Sequence, residues 1–144
     1  MNIIAAMNQL KADEGTKKAN GLHVPFSDHL GYITIGYGIL LDDRKGGGLT
    51  EEEAEYLLMN RIQARLEALQ DRIAFWDDLT ENRQIAFLNM SYQLGVNGLL
   101  AFKKMMKAAA IGHWDRVYTE AMDSRWAKQT PERARRIALA LKNG

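Results

Sequence analysis

Thr50-Glu51-Glu52-Glu53-Ala54-Glu55-Tyr56-Leu57-Leu58-Met59-Asn60-Arg61-Ile62-Gln63-Ala64-Arg65-Leu66-Glu67-Ala68-Leu69-Gln70-Asp71-Arg72-Ile73 is the stretch on which the architecture turns. Its first four residues have the capping-box spacing, with Thr50 as N-cap and the Glu53 carboxylate able to reach back to the Thr50 amide. A helix is therefore predicted to start at Glu51. Leu58, Ile62, Leu66, Leu69 and Ile73 follow at steps of three or four, so the helix runs for about 20 residues, or about 30 Å. That is long enough to connect two lobes.

The chain changes character on the N-terminal side. Residues 22–48 mix Gly, Pro, Asp and aromatic residues around two short β-prone runs, His23–Phe26 and Tyr32–Ile35, and close on Gly46-Gly47-Gly48. This pattern predicts a small, twisted antiparallel sheet. Before it, Ile3, Met7 and Leu10 recur at helical spacing, and one more step of four reaches Glu14. On the C-terminal side Ile85–Leu94 is apolar on nearly every face, the mark of a helix surrounded by others. Gly95-Val96-Asn97-Gly98 should break it, and further helices are predicted at about 99–110, 113–123 and 131–142, the last with Thr130 as N-cap and Pro131 at its first position. The fold class is α+β and mostly helical. It is expected as a single domain: a small β-containing lobe (about 14–49), a connecting helix (about 50–73) and a helical lobe (about 74–144 together with residues 1–13).

Composition narrows the function classes. The 144 residues are 47% hydrophobic and 26% charged, with two prolines, the profile of a globular rather than a disordered chain. There is no cysteine, so disulfides and thiolate chemistry are excluded and synthesis in a reducing cytoplasm is the simplest reading. The N-terminus lacks a basic leader and a long apolar run, so neither a signal peptide nor stable membrane insertion is expected. Net charge is +1, but residues 40–82 carry 5 basic and 11 acidic side chains and 83–144 carry 11 basic and 4 acidic. A basic half suits a polyanion, which could be nucleic acid or the anionic bacterial wall, and a plain solvated face explains it equally well.

Among the side chains that could do chemistry, Glu14 is the most informative. A carboxyl ending an apolar stripe loses hydration, the setting in which a general acid keeps its proton; a helix-end residue turned to water is the plainer alternative. Asp28 stands in the loop entering the sheet, where a turn-forming Asp is the ordinary reading. Two carboxylates on separate elements are what glycoside hydrolysis requires, one to protonate the leaving oxygen and one to serve water or the oxocarbenium-like centre. The hydroxyl of Thr34 could hold that water. Gly36-x-Gly38 lacks the third glycine of a dinucleotide fingerprint, and Ser27-Asp28-His29 are chain neighbours whose side chains diverge, so neither reads as a phosphate loop or a hydrolase triad. The three histidines without cysteine give no zinc site, and Asp42-Asp43 lacks a calcium loop; no metal and no cofactor are expected. Trp76, Trp114 and Trp126 read as core or core rim rather than sugar platforms.

Taken in order, five blocks of this sequence resemble the T-even bacteriophage lysozymes, glycoside hydrolase family 24. They are Asp13-Glu14-Gly15; Asp28-x-x-Gly31-Tyr32-x-Thr34-Ile35-Gly36-x-Gly38; Thr50-x-x-Glu53-Ala54-Glu55; Asn89-Met90-x-Tyr92-Gln93-x-Gly95; and Ser124-Arg125-Trp126-x-x-Gln129-Thr130-Pro131-x-Arg133-Ala134. The resemblance implies a phage lysozyme-like fold and a peptidoglycan muramidase, an endolysin that lyses the bacterial cell for phage release. It implies Glu14 as proton donor, with Asp28 and Thr34 handling the water or the opposite sugar face. Leu40, Tyr92 and Gln93 match positions lining the saccharide cleft, which in the family lies between the lobes; Met105 and Glu120 stand at two further cleft positions where relatives carry small or amide residues. Arg133 matches an arginine that approaches the catalytic Glu. The partner implied is bacterial peptidoglycan, with no nucleic acid, acted on by a monomer made in the host cytoplasm and released to the periplasmic wall through a holin-like pore. Two departures stand out. Thirteen residues separate Glu14 from Asp28, more than the family's usual spacing, with Asn20-Gly21-Leu22-His23-Val24 as the extra segment. Ile39 also stands where relatives often have His.

Overall fold

The computed structural model describes residues 2–14, 16–28, 30–41 and 49–144. Gly15, His29, Asp42-Asp43 and Gly46-Gly47-Gly48 lie outside the described residues. By contacts the chain divides into two compact units, residues 1–56 and 57–144.

The first unit begins with helix α1 (Ile3–Asp13), whose N-cap Asn2 accepts the Ala5 amide at 3.1 Å. Among the described residues five short strands follow: β1 (Lys18–Ala19), β2 (Leu22–His23), β3 (Phe26–Ser27), β4 (Ile33–Ile35) and β5 (Ile39–Leu40). They form a two-stranded hairpin, β1–β2, and a separate antiparallel sheet in the order β3-β4-β5. The single run expected over His23–Phe26 is thus cut in two. Pro25 has no N–H to give a ladder, so one half pairs back with Lys18–Ala19 and the other pairs forward with β4. The extra segment Asn20–Val24 supplies the tip and second strand of the hairpin, with Asn20 and Gly21 both at positive φ, 51° and 77°, as a two-residue turn between twisted strands demands. The α1 stripe is not buried as expected: Ile3, Met7 and Leu10 are 72%, 43% and 56% exposed.

Helix α2 (Glu51–Arg72) starts where the capping box places it. The Thr50 amide donates to Glu53 Oε2 at 2.9 Å and the Glu53 amide to Thr50 Oγ1 at 3.3 Å. Its predicted apolar stripe is exposed at Leu58 and fully buried at Leu69, so burial grows along the helix.

The second unit is helical: a short 3₁₀ turn at Trp76–Asp78, then α3 (Glu81–Leu100), α4 (Lys103–Ala110), α5 (Trp114–Met122), α6 (Arg125–Gln129) and α7 (Pro131–Asn143). Gly95 (φ 76°, ψ 161°) kinks α3 without ending it, a conformation that costs glycine little. α3 and α4 meet at 95°, and among the described residues no single helix is long and apolar enough to cross a membrane. α5 packs on α4 and α7, and α7 on α3 and α6. Between them Phe87, Met90, Leu99, Met105, Val117, Trp126, Ala134 and Leu141 form one buried core. α3 is less enclosed than its composition suggests, since Ile85 and Tyr92 are exposed. Pro131 opens α7 as predicted, but Thr130 does not cap it: its hydroxyl donates to the Trp126 carbonyl at 3.2 Å.

Candidate active site

Glu14 closes α1. Its amide still donates to the Leu10 carbonyl at 2.8 Å while its own φ and ψ, −81° and 137°, turn the chain out of the helix. The side chain is exposed rather than the end of a buried stripe, so the loss of hydration expected from periodicity is not what marks this residue. What marks it is its neighbour. A Cβ built on Gly38 would fall 2.5 Å from Glu14 Oε2 and 2.8 Å from its Cδ. The bare backbone of Gly38, at φ 73°, is therefore the surface against which the carboxyl rests, and a side chain there would force the Glu14 carboxyl to move.

Asp28 follows β3. Its Oδ1 accepts the amides of Leu30 and Tyr32, both at 2.9 Å, and its own amide and carbonyl bond Tyr32 O at 2.8 Å and Gly31 N at 3.0 Å. This is the turn-forming behaviour of Asp, and it also fixes the carboxylate, because one oxygen is anchored by two backbone donors. Turn residue and candidate site residue are here the same. Thr34 sits in the middle of the central strand β4, opposite Phe26 on β3 and Leu40 on β5, and is 6% exposed.

These elements converge. Glu14, Asp28 and Thr34, with Phe26, Ser27, Tyr32, Gly38 and Leu40, line one cavity of about 620 Å³ within the first unit. Three residues from a helix end, a turn and a strand thus share one space whose walls combine carboxylates, a hydroxyl and apolar faces. Phe26 in that wall carries no sequence motif of its own, and only the pairing of β3 with β4 brings it in; Gly38 belongs to the Gly36-x-Gly38 pair, but its place beside Glu14 was not legible from that pair.

The remaining candidates lie in the second unit. Tyr92 is 43% exposed, with the Arg65 guanidinium 5.4 Å from its ring centre. The Gln93 amide accepts the Trp126 indole N–H at 2.9 Å and donates to Thr130 Oγ1 at 3.4 Å. Met105 is buried in the core, and Glu120 pairs with Arg116 at 2.5 Å; both also line a pocket of about 460 Å³ with Phe102, Lys103, Asp123 and Ser124. Arg133 grips Asn89, donating from Nη2 and Nε to Oδ1 at 2.7 and 3.2 Å.

A family model described as phage lysozyme matches residues 16–140. The chain belongs to the phage lysozyme family. The matched span contains Asp28 and Thr34, and Glu14 lies just before it. Within this family, the chain is 26% identical over 163 aligned positions to a protein named probable T4-type lysozyme 1 of Dictyostelium discoideum, covering 95% of this chain and 93% of that one. It is 26% identical to probable T4-type lysozyme 2 of the same organism, over 76% of this chain and 66% of that one. It is also 32% identical, over 68% of its length, to the pre-baseplate central spike protein Gp5 of Enterobacteria phage T4, where the match spans only 18% of the longer protein.

Proposed function

We propose that this lysozyme-family glycosidase is a muramidase that hydrolyses the β-1,4 bond between N-acetylmuramic acid and N-acetylglucosamine in bacterial peptidoglycan. The observation that carries the reading is the cavity shared by Glu14, Asp28 and Thr34. Glycoside hydrolysis needs one carboxyl to protonate the leaving oxygen and another to serve water or the oxocarbenium-like centre. Glu14, on a helix end and seated on Gly38, is the proton donor. Asp28, pinned through one oxygen, directs the other at water or at the opposite sugar face, and Thr34 orders that water. Leu40 offers an apolar wall to the ring.

In the second unit the exposed ring of Tyr92 suits stacking on a sugar face, with Gln93 held beside it. The pocket walled by Met105 and Glu120 is the proposed seat of an N-acetyl or peptide group. Arg133, fixed by Asn89, is a supporting residue. The enzyme works without metal or cofactor, as a monomer, as a phage endolysin made in the host cytoplasm and passed to the wall by a holin-like pore. Lysis on expression of this chain alone would count against the pore.

The likeness to a central spike protein supports a second reading, a virion-associated module that binds the wall with little or no turnover. Clearing of a purified peptidoglycan suspension by wild type and by Glu14→Gln decides between them. Clearing by wild type alone supports the muramidase with Glu14 as acid; binding without clearing by either supports the inert module.

A further inference from the structure

The β4–β5 turn that carries Gly38 is Gly36-Tyr37-Gly38, with both glycines at positive φ, 66° and 73°. The β4–β5 ladder closes this turn through the pairs Thr34 with Leu40 and Ile35 with Ile39, and Tyr37 is the one side chain at its tip. The Tyr37 ring meets the His23 ring edge-on, centroids 4.9 Å apart, and Lys11 Nζ stands 5.5 Å from its centre. It also borders an apolar hollow with Met7 and Leu10 of α1. His23 is itself tied down, sharing a hydrogen bond of 2.8 Å between Nδ1 and Thr16 Oγ1. His23 belongs to β2, the strand furnished by the segment Asn20–Val24.

We infer that Tyr37, clamped between Lys11 of α1 and His23 of the β1–β2 hairpin, is a positioning residue that holds Gly38 against the Glu14 carboxyl, so that the extra hairpin serves catalysis from behind the site. The link is mechanical. Lys11 and Glu14 are one turn apart, Tyr37 and Gly38 are chain neighbours, and the clamp joins the two pairs through side chains that do not line the cavity. Neither Tyr37 nor His23 lines that cavity, so the role argued for them is positional. A loosened turn lets the carboxyl drift, and a misplacement of about 1 Å in a reacting group can cost on the order of a hundredfold in rate.

The inference rests on Glu14 being the proton donor, and the test separates the two. Initial rates on purified peptidoglycan are measured for wild type, Glu14→Gln, Tyr37→Leu, Tyr37→Phe and His23→Leu, with circular dichroism at the assay temperature. The expected result is a fall in kcat of about ten- to a hundredfold for Tyr37→Leu, KM unchanged, a smaller fall for His23→Leu, and recovery to within about threefold of wild type for Tyr37→Phe, which keeps the ring that meets His23 and Lys11. An inactive wild type, or an active Glu14→Gln, removes the underlying reading. With that reading intact, the inference is overturned by normal kcat in Tyr37→Leu, by a change confined to KM, by a Tyr37→Phe variant as impaired as Tyr37→Leu, or by a loss that only matches the unfolded fraction.

Discussion

The two units of this chain are held together by different physics. Among the described residues the first unit buries one residue, Thr34, and keeps its shape through local devices: the Asn2 cap, the Asp28 turn, three short strand pairings and glycines at positive φ. The second unit encloses Phe87, Met90, Leu99, Val117 and Leu141 in a continuous apolar core, where removal from water supplies the stability. The candidate catalytic groups all sit in the first kind of structure. A site whose geometry rests on hydrogen bonds and turns is sensitive to small backbone changes, whereas the stability of the second unit rests on apolar burial.

That contrast is open to direct attack. The largest expected effect on stability is Phe87→Ala, which should lower the unfolding free energy of the second unit by about 3–5 kcal/mol through lost transfer energy and a residual cavity; urea titration followed by circular dichroism reads it, and an unchanged midpoint would mean the core is not what holds this unit. Gly38→Ala should do the opposite. Its new methyl group displaces the Glu14 carboxyl from its seat, so kcat on peptidoglycan should drop by on the order of a hundredfold, while the left-handed backbone costs only about 1–2 kcal/mol. Activity retained in Gly38→Ala would dissolve the argument that this glycine seats the carboxyl.

Thr50→Ala probes a local device at the start of α2 and should cost about 1 kcal/mol, read as a small fall in the unfolding midpoint. The smallest effect is expected at Asp115. Its carboxylate, 2.8 Å from Lys142 Nζ, holds that ammonium above the ordinary lysine range through hydrogen bond and charge. A raised folded-state value means the stabilisation is complete below the unfolded value and fades as pH rises through the folded one. Asp115→Asn should therefore barely move the midpoint at neutral pH, because the pair is exposed, and should flatten the fall in stability on the alkaline side.

How far the sequence could be read follows the same division. Signals that act within one turn were legible: the Thr50/Glu53 box and the start of α7 at Pro131. Glu14, Asp28 and Thr34 stood out as candidates on side-chain chemistry and the family resemblance sharpened the roles expected of them, but their meeting in one cavity needed the strand register, which depends on pairings that no single segment encodes. The α1 stripe misled because periodicity tells which face of a helix is apolar but not whether anything covers it. Thr130 misled for a related reason, since a hydroxyl suited to capping found the Trp126 carbonyl one turn back. Long-range partners such as Arg133 with Asn89, or Gln93 with Trp126, connect residues 33 to 44 positions apart and leave no local mark.

The burial gradient along α2 has a kinetic counterpart. Its first turns project exposed side chains and its last turns anchor Leu69 in the core, so the backbone amides of one unbroken helix should exchange with deuterium on very different timescales. Those near Glu53 open by local fraying, whereas those near Leu69 wait for the core itself to come apart, and a single 22-residue helix becomes a ruler of how far cooperativity reaches from that core along one element.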